Sequence, residues 1–136
     1  MKLVKNIAIF SVLLASTVVT AKQLTLNDIN PVVISSSPVA GTTTVDPSIN
    51  EITVKFSKEM MTNKMWSVVK LANGHFPTVS GDVYFKDAHT FVIPVKLKEN
   101  TVYAFSINSQ NKRGFKGVNG KTAQPYIISF KTKGKA

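Results

Sequence analysis

The sequence predicts an all-β sandwich of about seven strands, on three observations. From Pro31 to Thr132, short runs rich in Val, Ile, Phe and Tyr alternate apolar with polar residues at period two, the pattern of half-buried strands. Clusters of Pro, Gly, Asn, Asp and Ser separate these runs and supply turn chemistry. Beyond residue 21, apolar residues nowhere recur at helical spacing over a dozen positions, so a helical or α/β fold is not expected.

Residues 1–21 read as a cleavable signal peptide. Lys2 and Lys5 form a basic front, the stretch from Ile7 to Val19 carries no charge, and Val19-Thr20-Ala21 offers small residues for cleavage before Lys22. That uncharged run is shorter than the roughly 20 residues a spanning helix needs, so no transmembrane segment is expected after cleavage. Residues 22–30 form a leader without periodicity, and 31–133 form the domain. Pro31 opens strand A, which covers Val32 to Ile34 and gives way to turn residues at Ser35-Ser36-Ser37-Pro38. Strand B is Ile52-Thr53-Val54-Lys55-Phe56. A loop carrying Met60 and Met61 leads to a third strand from Trp66 to Leu71, ended by Asn73-Gly74. Further strands are expected at Val83–Phe85, Phe91–Ile93, Val102–Asn108 and Tyr126–Thr132. The basic end, residues 134–136 with Lys131 and Lys133 before it, is expected to fray.

The strand from Val102 is the most informative. Tyr103, Phe105 and Ile107 fall on one face and Ala104 and Ser106 on the other, so the first face is core. Tyr103 stands where an immunoglobulin-like sandwich places a corner tyrosine, whose hydroxyl bonds back to the backbone a few residues upstream. The predicted fold is therefore an immunoglobulin-like β-sandwich.

Composition excludes several functions. The chain has no cysteine, which removes disulfides, thiol chemistry, cysteine metal sites and lipoprotein attachment, so packing alone stabilises the 115 residues left after cleavage. Those residues keep a formal charge of +8. Such a field favours anionic surfaces such as lipopolysaccharide, teichoic acid or anionic lipid, yet carries no specificity, and specific nucleic-acid binding is not expected.

Three separated segments, PVVISSSPVAGTTTVDPSINEITVKFSKEM from Pro31, PVKLKENTVYAF from Pro94 and PYIISFKT from Pro125, resemble the bacterial Ig-like domain of S-layer type, the SbsA Ig-like domain. Trp66, the Phe76-Pro77 pair and Asn108-Ser109 carry a narrower likeness. The resemblance implies an Ig-like sandwich acting as a spacer, adhesion module or accessory domain of exported proteins. With no second domain in the chain, a free-standing envelope protein is expected.

Met60, Met61, Met65, Trp66 and His75 are the one group that suggests chemistry, because thioethers with an imidazole suit Cu(I). A copper site would use Met60, Met65 and His75; the competing expectation is that the methionines fill the core. Trp66, Phe76, Tyr84 and Asn108 form a candidate binding surface, an aromatic groove with an amide for a peptide or glycan. Asn111-Lys112-Arg113-Gly114-Phe115-Lys116-Gly117 interleaves basic, aromatic and glycine residues and reads either as a phosphate- or ring-contacting segment or as a solvated loop. His75 and His89 lack flanking carboxylates at catalytic spacing, no serine sits in a Gly-x-Ser-x-Gly setting, and no phosphate-cradling glycine loop is present. The expected function is that of an exported, periplasmic or secreted, non-enzymatic module of the cell envelope. It would contact a protein or envelope polymer, without a cofactor, and periplasmic copper binding is the alternative.

Overall fold

The computed structural model describes residues 20–135. The expected signal peptide lies outside the described residues except for Thr20 and Ala21. Among the described residues eight strands form: β1 (Val33–Ser37), β2 (Glu51–Phe56), β3 (Val68–Lys70), β4 (Thr78–Val79), β5 (Tyr84–Asp87), β6 (Thr90–Lys96), β7 (Val102–Ile107) and β8 (Tyr126–Lys131). One antiparallel sheet runs β1-β2-β6, with β4 and β5 sharing the far edge of β6, and the other runs β3-β7-β8. Taking β4 and β5 together as one interrupted strand D, these are the ABED and CFG sheets of the seven-strand immunoglobulin sandwich.

Strand ends differ from the sequence reading for local reasons. Strand β1 continues through the three serines expected to be turn, because a bulge between Val33 and Ser35 lets Ser35, Ser36 and Ser37 pair with Lys55, Val54 and Thr53. On an edge strand half-open to water, serine side chains incur no burial cost. Strand D breaks between Val79 and Tyr84: the Ser80 amide still donates to the Pro94 carbonyl of β6 at 2.9 Å, and the ladder resumes only at Tyr84. The carboxyl-terminal segment is tied down rather than frayed through Lys133. Its amide donates to the Val45 carbonyl at 2.8 Å, and its carbonyl accepts from Asn100 at 3.2 Å.

Period-two alternation sets the core. Ile52, Val54 and Phe56 of β2 and Phe91, Ile93 and Val95 of β6 face Tyr103, Phe105, Ile107, Ile128 and Phe130 from the other sheet, all buried. Burial of each such side chain is worth about 1.5–3 kcal/mol. Ala104 and Ser106, on the opposite face of β7, are buried too. Ser106 is flanked in register by Val69 and Ile127, and Gly74 lies so close that a Cβ there would sit 2.9 Å from the Ala104 Cβ. Small side chains on a central strand disappear beneath larger neighbours.

Polar staples close the end of the sandwich where β6 turns into β7. The Tyr103 hydroxyl accepts the Lys98 amide at 2.7 Å, the expected corner. Thr132 Oγ1 accepts the Thr101 amide at 2.9 Å and donates to the Lys98 carbonyl at 2.6 Å. This end is locked, and the loops that differ in chemistry gather at the other.

Candidate functional site

The opposite end carries four segments: the leader, the loop after β2, the β5–β6 turn and the long loop between β7 and β8. Aromatic packing holds them. Phe115, from the β7–β8 loop, is buried edge-on to Phe91 with centroids 4.9 Å apart and lies 5.2 Å from Phe56. Trp66 packs on Phe91 at 5.4 Å and Phe85 on Phe91 at 5.0 Å. The loop cannot lift without exposing Phe115.

Asn108 fixes the same loop from within. It is fully buried just past β7 with φ +59°, a left-handed conformation that asparagine tolerates better than most residues. Its Nδ2 donates to the Phe115 and Ala123 carbonyls, each at 3.0 Å, while Oδ1 accepts the Phe115 amide at 2.9 Å and the Ser67 hydroxyl at 3.2 Å. Every hydrogen-bonding site of the amide that points inward is used. Ser67 Oγ in turn accepts the Gly114 amide. Gly114 is required by space, since a Cβ there would lie 2.5 Å from the Trp66 backbone.

The rest of the end is bound together through the backbone. The Met61 amide donates to the Lys116 carbonyl at 2.8 Å and the Val118 amide to the Glu59 carbonyl at 3.0 Å. Asn119 Nδ2 donates to the leader carbonyls of Asn27 and Ile29, Asn30 Nδ2 donates to Thr122, and Lys58 Nζ donates to Leu26. The leader is thus docked onto the domain. Lys22, Lys58, Lys64, Lys112, Arg113, Lys116 and Lys121 belong to the segments of this end or border them, against the carboxylates of Asp28, Glu59, Asp82 and Asp87. Among the described residues one ion pair forms, Lys22 with Asp28 at 3.9 Å. Hydrogen bonds from the Thr25 hydroxyl and amide hold the Asp28 pKa below the ordinary value, and the His89 amide does the same for Asp87. The surface is rigid, positively charged and lined by loops.

Residues 27–132 match the sequence profile of the bacterial Ig-like domain. The chain belongs to that family. No curated protein matches the sequence at a significant level. The crystal structure of the S-layer protein rSbsC(31-844) aligns with 80% of this chain at 16% identity and a TM-score of 0.49. This chain covers 14% of that protein's chain.

In this bacterial Ig-like domain the residues anticipated for copper do not meet. Met60 is buried at the loop end, its amide bonded to the Ala88 carbonyl, and Met65 is half-buried beside Trp66. His75 bridges Tyr103 at the start of β7, whereas the Asn108 amide donates to Ser67 beyond the end of β7. Those two levels are about 17 Å apart at roughly 3.3 Å per residue. Ligand atoms around one ion stand about 4–5 Å from each other when bonds are near 2.3 Å. Among the described residues no group of three or more His, Cys, Asp or Glu is arranged to hold a metal.

The candidate surface of Trp66, Phe76, Tyr84 and Asn108 is likewise dispersed. Trp66 is half-buried on the aromatic cluster and edges a shallow groove of about 400 Å³ with Lys64, Asp82 and Val83. Phe76 stands at the other end, edge-on to Phe105 at 6.0 Å with Lys70 Nζ 5.6 Å above its ring. Tyr84 is exposed on the outside of the first sheet, and Asn108 is interior. Of the two readings of the basic segment, the one in which Phe115 stacks on a ligand does not fit, because Phe115 belongs to the core; Asn111, Lys112 and Arg113 are exposed and Lys116 is half-buried. The clamp of Asn108 was missed in the sequence. Its signal was there, as a polar residue ending an apolar strand seven positions before a lone aromatic among glycines.

Proposed function

We propose that this protein is an exported, non-enzymatic module of the bacterial cell envelope that works by contact through its loop end. The observation that carries the reading is the construction of that end. A buried amide clamp and an aromatic cluster hold the β7–β8 loop rigid while its cations face water, and rigid presentation lowers the ordering cost of binding. Family membership supports a contact role, and the S-layer-type order of motifs supports the envelope as its place of action. The signal-like segment 1–21 supports export, with a mature chain starting at Lys22. Among the described residues no helix is long and apolar enough to cross a membrane.

Replacing the exposed tip Gln110-Asn111-Lys112-Arg113 with glycine and serine tests the reading, because the clamp residues Asn108, Gly114 and Phe115 stay in place. Retention of the mature protein on washed envelope fractions should fall with the thermal midpoint unchanged. Undiminished retention would overturn the assignment of the loop end as the contact surface.

A further inference from the structure

Beyond its charge, the loop end displays large apolar side chains. Leu24 is 71%, Leu26 78% and Val118 59% exposed, with Ile29 beside them at 40%. Val118 is brought to Leu26 and Ile29 because Asn119, next to it, bonds the carbonyls of Asn27 and Ile29, and Leu24 precedes Leu26 by two residues. A recess of about 220 Å³ lined by Asn27, Lys58, Glu59, Val118 and Asn119 lies among them. Isolated exposed leucines need no explanation, but a cluster rimmed by one sign of charge does. Lys22 and Lys121, both close to Asp28, and Lys58, bonded to the Leu26 carbonyl, form that rim. Of the two carboxylates nearby, Asp28 is occupied by Thr25 and Lys22, and Glu59 sits in the recess beside Lys58.

Deepening the contact reading above, on which this step rests, we infer that the loop end docks on an anionic membrane surface, inserting Leu24, Leu26 and Val118 while the lysines meet lipid phosphates. Cations alone would suit any polyanion. The apolar cluster at their centre discriminates, because a soluble anionic polymer offers nothing for it to enter, whereas the headgroup–acyl boundary does. The backbone of Leu26, Asn27 and Ile29 is held by Lys58 and Asn119, so Leu26 is presented from an ordered platform.

The test uses the mature chain from Lys22 with phosphatidylcholine vesicles and with the same vesicles containing phosphatidylglycerol. Binding is expected to the anionic vesicles only. Each lysine near such a surface contributes about fivefold in partitioning, and each inserted methylene about fourfold. Lys22→Gln with Lys121→Gln should therefore cut partitioning by about 25-fold, and Leu24→Ser, Leu26→Ser and Val118→Ser together by at least that much. Circular dichroism checks that both variants fold. As a gain-of-signal measurement, Leu26→Trp in a Trp66→Phe background should show blue-shifted emission when anionic vesicles are added. The inference is overturned by absent binding, by binding that the serine variant retains in full, or by emission that does not shift. If vesicles are ignored while envelope retention still depends on the Gln110–Arg113 tip, lipid docking falls and the contact reading stands. If both fail, both fall.

Discussion

Asn108→Ala is the substitution whose consequence the structure specifies most fully. Removing the amide strands the Phe115 N–H, whose side-chain acceptor at 2.9 Å is lost, and the Ala123 carbonyl, bonded to Asn108 at 3.0 Å. The Phe115 carbonyl keeps a second partner, the Ala123 amide at 2.9 Å. Two buried backbone groups left without partners cost about 1–3 kcal/mol each, or about 2–6 kcal/mol together. Placing alanine at φ +59° adds about 1 kcal/mol. Since a domain of this size is stable by about 5–15 kcal/mol in total, the variant should lose a large part of its stability. Urea unfolding reads the change through the midpoint at constant slope. Asn108→Gly, which removes the amide but relieves the backbone, should be slightly milder. A loss below about 1 kcal/mol for Asn108→Ala, near the range of surface substitutions, would refute the clamp.

Gly114→Ala should destabilise by about 1–3 kcal/mol because its Cβ meets backbone that cannot yield, whereas Gly81→Ala, whose Cβ would make ordinary 3.6 Å contacts, should stay within about 0.5 kcal/mol by the same assay. Tyr103→Phe should cost about 1–2 kcal/mol, since the Lys98 amide loses its acceptor at 2.7 Å; an unchanged midpoint in urea would show that the corner bond is idle. Asp46 accepts the Ser48 amide and hydroxyl, each at 2.8 Å, and these bonds lower its pKa below the ordinary 3.8. The stability it supplies is therefore present above about pH 4 and lost as pH falls through the folded-state pKa. The thermal midpoints of wild type and Asp46→Ala should differ at pH 7 and converge at low pH, and a constant difference would remove Asp46 from the account.

The legibility of this fold in its sequence follows the physics of each element. The pattern of β2 could be read because one of its faces is core and the other water, so Ile52, Val54 and Phe56 alternate cleanly with Glu51, Thr53 and Lys55. The Tyr103 corner could be read because a single hydroxyl at a fixed offset carries it. Strand β1 was under-read, since an edge strand does not need β-branched residues and its serines looked like turn. Of strand D only the second part was read, at Val83–Phe85, because the two residues Thr78 and Val79 are too few to show an alternation.

The site was harder, for a reason common to Asn108 and Phe115. Asparagine is usual on surfaces and Phe115 stands among glycines and cations, yet each is placed inside by partners distant in sequence, Ser67 and Phe56 among them. By contrast, the separation of His75 from Met60 follows only from the register of β7, which no local spacing encodes. Leu24 and Leu26 fell in a leader without periodicity, and their convergence with Val118 depends on Asn119 reaching back across the chain.

Lysines are distributed over every surface of this protein, so amine labelling of free protein and of protein bound to envelope membranes tests the working surface directly. If the loop end makes the contact, Lys64, Lys112, Lys116 and Lys121 become protected on binding, while Lys96, Lys98, Lys131 and Lys133, exposed at the end where β6 turns into β7, label as before. Protection of Lys96, Lys98, Lys131 and Lys133 with the loop-end lysines still reactive would contradict the account.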